Sequence, residues 1–114
     1  PDAKVDDLIT QAWGHGWQVL AHANGDAAID QFIRAVAAAE AAHPDKRLMP
    51  VLIHGQTLRR DQVGELRRLG IFPSLFPMHT YYWGDWHRTV TRRGAVPCRR
   101  AGQFSDGYHT VWST

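Results

Sequence analysis

Three short apolar runs, at residues 17–22, 49–54 and 71–76, each follow a stretch whose apolar residues recur at helical spacing. In the first stretch Val5, Leu8, Ile9, Ala12 and Trp13 fall at i, i+3, i+4, i+7 and i+8. That spacing makes one face of a helix, with Asp2 as its N-cap and Gly14 and Gly16 as its stop. After a turn at Ala23-Asn24-Gly25, Asp26 is placed to cap a second helix. In it Ile29, Phe32, Ile33, Val36 and Glu40 keep the same period, and His43-Pro44-Asp45 ends it. A third helix is expected over 59–69, with Val63, Leu66 and Leu69 inward and Gly70 closing it. The runs between these helices are short and mostly apolar, as suits strands covered on both faces of a parallel sheet. Pro50 is tolerable at the start of its strand, whereas Pro73 weakens the third. A short helix at 97–105 and a fourth strand at 108–113 complete the order. Strands alternating with helices imply parallel pairing through crossovers, so the fold class is α/β and residues 1–114 form one unit. A small doubly wound sheet and part of a barrel both satisfy that order.

His22 and His54 are the residues most able to carry chemistry. Each ends one of the runs, and each precedes a small-residue turn, at Ala23-Asn24-Gly25 and at Gly55. Ligands of parallel α/β folds gather at the carboxyl ends of the strands. Two imidazoles there would share one space and suit a zinc-like ion. Equally, each could only hydrogen-bond locally at a strand end. With 44 % hydrophobic residues the chain can build a core, and no apolar stretch approaches the length of a membrane span. The start, Pro-Asp-Ala-Lys, lacks the basic and apolar segments of a signal peptide, and the first residue is not Met. Cys98 is the single cysteine, which excludes an internal disulfide and fits a reducing compartment; a cytoplasmic location is expected.

The segment His22-Ala23-Asn24-Gly25-Asp26-Ala27-Ala28-Ile29 resembles the His-x-x-Gly-Asp-x-Ala-Ile segment of the amidohydrolase superfamily. The likeness is to its YtcJ-like group (amidohydrolase family 3), which includes N-substituted formamide deformylases. Val51-Leu52-Ile53-His54-Gly55-Gln56 resembles that family's next strand, ending in His-x-Gln. Residues 73–79 resemble the strand after it, and residues 107–114 the final barrel strand. The resemblance implies strands five to eight of a (β/α)₈ TIM barrel, with His22 and His54 as metal ligands. It also implies one or two divalent ions, zinc foremost, in the complete enzyme. The family's His-x-His of strand one, the bridging residue of strand four and the aspartate of strand eight are not in this sequence. That aspartate, the catalytic base, would be the residue immediately after Thr114. The family often has Glu before the strand-six histidine, where this chain has Ile53, and residues 89–100 match poorly.

On that resemblance the parent protein hydrolyses a non-peptide carbon–nitrogen bond, an amide or formamide, by metal-activated water. The fragment alone is expected to be inactive and to bind metal weakly or not at all. His79 would contact substrate, and Tyr81, Tyr82 and Trp83 would line the substrate mouth. Asp26 would act behind the ligands, steadying a histidine. Trp13, Trp17 and Trp112 are expected in the core. Half a barrel leaves two strand edges open, so edge pairing or a homo-oligomer is expected. Arg88, Arg92, Arg93, Arg99 and Arg100 form a basic stretch, but no nucleic-acid motif accompanies it, so no nucleic-acid partner is expected. The competing expectation is a small non-catalytic α/β module for binding or regulation, because a fold does not by itself confer function.

Overall fold

The computed structural model describes residues 2–76, 78 and 81–83. The element order is α1 (Asp2–Gly14), β1 (Leu20–Ala23), α2 (Asp26–Ala42), β2 (Val51–His54), α3 (Arg60–Arg68) and β3 (Phe72–Leu75). The three strands form one parallel sheet in the order β1-β2-β3. The α/β alternation expected from the sequence is therefore present. The expected helix at 97–105, the strand at 108–113, Trp112, Cys98 and the arginine stretch lie outside the described residues.

The helices form where the apolar period demanded them, with one narrowing. In α1 the buried stripe is Ile9 and Trp13, with Val5 packed at its edge, while Leu8 is exposed. Residues at i, i+4 and i+8 lie almost above one another on a helix, and α1 packs mainly on one neighbour, α2. A single partner covers a narrower stripe than the sequence period marked out. Asp2 sits in the first turn of α1, where it ties the two helices: Gln31 donates to it at 2.7 Å and Arg34 lies 3.2 Å away. Helix α2 buries Ile29, Phe32, Ile33, Ala35, Val36 and Ala39, and forms the centre of the core with Leu52, Leu66 and Ile71.

Two expectations about α2 and β1 change. Gly25 holds the N-cap position of α2 and Asp26 is its first residue, so Asp26 acts there as a first-turn carboxylate. Strand β1 begins at Leu20 and runs through Ala23, so His22 is one residue short of the strand end. Trp17 consequently falls in the connection before β1, where it is 64 % exposed and stacks on His15 at 4.8 Å. It is not a core residue, whereas Trp13 is.

Pro73 sits inside β3 without breaking it. The Phe72 N–H donates to Pro50 and the Phe76 N–H to His54, so alternate residues of β3 face β2. Pro73 lies between them, its missing donor turned to the outer side of the sheet, the position where strand proline is tolerated.

Register decides what each face carries. Ala21, Leu52 and Pro73 align across the sheet, and so do His22, Ile53 and Ser74. The first row lies under the helices: Leu52 and Pro73 are buried. On the other face Leu20, His22 and Ser74 are exposed, and among the described residues no element covers them.

Candidate metal centre

Strand register alone would separate the two histidines. His22 pairs with Ile53, while His54 pairs with Ala23, one step further along. Successive side chains on a strand point to opposite faces, so a regular β2 would send His54 to the helix side. The backbone of His54 breaks the alternation. Its φ is +73°, in the left-handed region, and Gly55 follows at +56°. A non-glycine residue there costs roughly 1–2 kcal/mol. The turn brings the His54 ring to 4.6 Å from the His22 ring, centroid to centroid, at an interplanar angle of 77°. Phe76, just past β3, also meets His54 edge-on at 5.9 Å. Sequence placed both imidazoles in one space at one pole of the sheet; the left-handed backbone of His54 that brings this about was not announced by the residue pattern.

The loops after β1 and β2 are joined to each other. The Gly55 N–H donates to Ala23 at 3.1 Å, and Thr57 donates to the Asn24 carbonyl through both its N–H and its hydroxyl, each at 3.0 Å. Next to them lies a polar network missed in the sequence. Arg59 donates two bonds to Asp30, both 2.9 Å, and two to Asp61, at 3.0 and 2.8 Å, and reaches Asp26 at 3.4 Å. Gln62 donates to Asp30 at 2.7 Å and to the Asp26 carbonyl at 2.8 Å, and accepts from the Arg59 N–H at 2.9 Å. Gln62 is 2 % exposed, so these bonds are what makes its burial tolerable. The signal was available: Gln62 precedes Leu66 by one turn on the inward face of α3, and it is the third residue after the cap Arg59, where Gln favours a reciprocal bond.

The charges of this network are mutually set. Hydrogen bonds from Arg59, then Gln62, hold Asp30 below the usual carboxylate range, and Arg59 does the same for Asp61. Asp61 and Asp30 in turn push the Arg59 guanidinium further up. A carboxylate depressed on folding adds stability above its unfolded pKa, and that stability is lost as pH falls through the folded value. The thermal midpoint is therefore expected to be level above about pH 5 and to drop below about pH 4. In Arg59→Gln the acid drop should be shallower, because the largest cause of the depression is gone. A thermal-melt series from pH 2.5 to 7 on both proteins checks this; parallel curves would contradict it.

The expected substrate contacts divide. His79 lies outside the described residues. Tyr81, Tyr82 and Trp83 are all exposed, and Tyr81 meets Tyr82 edge-on at 5.1 Å. Asp26 bonds Arg59 and the Ala27 N–H.

The donor set suits a divalent ion as far as it goes. Two imidazoles on one tetrahedral ion, each nitrogen ~2.0–2.1 Å from it, bring their ring centres to about 5 Å, close to the 4.6 Å seen. Among the described residues no group of three or more His, Cys, Asp or Glu is placed to hold a metal. The pair thus offers two nitrogen donors, without a third such group beside it among the described residues. Among the described residues no helix is long and apolar enough to cross a membrane.

No curated relative and no solved structure matches the chain significantly. A family model described as amidohydrolase family matches residues 1–101, a span that takes in α1 through β3 and both histidines. With a parallel α/β sheet presenting two converged imidazoles at its carboxyl pole, that match places the chain in the amidohydrolase family.

Proposed function

We propose that this chain is the strand five-to-eight part of a (β/α)₈ barrel hydrolase of the YtcJ-like group, acting on an amide or formamide carbon–nitrogen bond. The observation that carries it is the His22–His54 pair, held 4.6 Å apart by a left-handed His54. Strained backbone persists where the surroundings impose it, and it concentrates at functional sites. In this reading β1, β2 and β3 are strands five, six and seven. Their open face, with Leu20, His22 and Ser74, looks into the barrel. The outer edges of β1 and β3 pair with further barrel strands.

His22 and His54 each give a ring nitrogen to a divalent ion, zinc being the best match to imidazole donors. The ion supplies a Lewis acid for the substrate carbonyl and a lowered pKa for a water. Phe76 braces the His54 ring and limits its rotation. His79 contacts the substrate carbonyl, and Tyr81, Tyr82 and Trp83 favour an apolar or aromatic group on the amide nitrogen. A general base would take the proton from the attacking water and return it to the leaving amine.

The test is the protein expressed with its natural flanking coding sequence and assayed for release of formate from N-substituted formamides. Hydrolysis lost on chelation and regained with zinc is expected. Residues 1–114 alone should show no turnover, because two imidazole donors do not by themselves complete a catalytic metal site. Full-length protein that binds no metal and cleaves no amide under these conditions would end this reading.

A further inference from the structure

The left-handed turn at His54 needs something to hold it, because His54 and Gly55 would relax toward extended backbone if the chain after them were free. The restraint lies within five residues. Arg59 grips Asp30 on α2 through one two-bond fork and Asp61 on α3 through another, and reaches Asp26 four residues after His22. Gln62 repeats the link from α3 to α2 with bonds to Asp26 and Asp30. The loop that carries His22 into α2 and the loop that carries His54 into α3 are therefore fastened at their far ends by one guanidinium. Thr57 and Asn24 fasten them midway.

We propose that Arg59 is a positioning residue: by clamping the start of α3 onto the first turns of α2 it keeps His54 left-handed and facing His22. Arg59 directs its hydrogen bonds to Asp26, Asp30 and Asp61 and not to either ring. Its effect is on the pair's geometry, and the reach of that effect to metal binding rests on the amidohydrolase reading. A planar two-sided fork is required, since lysine offers a point charge on a flexible stem and cannot bond two carboxylates in parallel pairs.

The experiment uses the protein as encoded, labelled at histidine and metal-free. Ring-to-ring cross-peaks between His22 and His54 are recorded by NMR, and zinc affinity is measured separately by competition with a chelator. Wild type should show the cross-peaks. Arg59→Lys and Arg59→Gln should lose most of their intensity while the fold is retained, and zinc affinity should fall about 10- to 100-fold, as for residues that orient a metal-binding histidine. Arg68→Gln, which breaks only the exposed pair with Glu65 on the same helix, should leave both readouts unchanged. If Arg59→Gln does not fold, Arg59→Lys decides. Cross-peaks at wild-type intensity in a folded Arg59 variant overturn the proposal, as would their absence from wild type. Cross-peaks that follow Arg59 in a protein that binds no zinc would support the clamp and count against the amidohydrolase reading alone.

Discussion

Under the proposed metal-hydrolase reading, exchanging His54 for glycine is expected to cut zinc affinity and hydrolysis by at least ~100-fold while leaving stability within about 1 kcal/mol of wild type. The first half follows from removing one of the two proposed nitrogen donors; even residues that merely orient such a donor are worth 10- to 100-fold. The second half follows from the backbone. Histidine at a φ of +73° carries roughly 1–2 kcal/mol of strain. Glycine relieves it and gives back about 0.5–1 kcal/mol in unfolded-chain entropy. The lost ring contacts with His22 and Phe76, at 4.6 and 5.9 Å, are worth about 0.5–1.5 kcal/mol for such pairs. The contributions nearly cancel. A residue serving only the fold would behave differently: its loss would lower the melting point and spare the chemistry of whatever stayed folded. Metal titration and urea unfolding on the same preparations separate the two cases. His54→Gly destabilised by more than about 2 kcal/mol with zinc affinity intact would make His54 a structural residue. His22→Ala is the companion: His22 is exposed, so its loss should remove the proposed metal binding with no strain to release.

Much of this arrangement was legible before any coordinates. Helical spacing in α1, α2 and α3 and the apolar runs between them reflect one physical demand, a stripe or face to bury, so element type and order could be read directly. The exact rows could not. Leu8 fits the period of α1 as well as Ile9 does, but α2 covers only part of that face. Trp17 looked like core because it is large and apolar, yet the strand starts three residues later at Leu20 and leaves it outside. The position of His22 and His54 at the strand ends was close, within one residue for His22. That they share one space was expected from their matching strand-end positions, but the left-handed turn at His54 that brings them together was not, because strand register alone would send His54 to the other face. Arg59 was equally hidden: in sequence it is one of several arginines, and only the fold brings Asp26, Asp30 and Asp61 around it.

Gly55→Val is expected to destabilise the protein by about 3–4 kcal/mol, the largest effect of any single change at this pole. Two independent costs add. At a φ of +56° any side chain is strained by roughly 1–2 kcal/mol, and a β-branched one suffers most. The space is also taken: a Cβ on residue 55 would come within 2.8 Å of Leu75 Cδ2 and 3.4 Å of Leu52 Cδ2. Leu75 is half-buried and can swing its end away, so alanine should cost little beyond the strain. The two methyls of valine add a second demand on Leu52, which is fully buried and has no free volume to move into; forced repacking of that kind costs about 1–3 kcal/mol. A total near 3 kcal/mol is a large share of a typical 5–15 kcal/mol stability. Urea midpoints of Gly55→Ala, Gly55→Val and each combined with Leu75→Ala test the division. If the clash is with Leu75, trimming it should recover part of the valine cost and almost none of the alanine cost. Equal midpoints for wild type and Gly55→Val would mean that the loop after β2 relaxes freely. A loop that loose could not hold His54 against His22, and the metal-centre reading would fall with it.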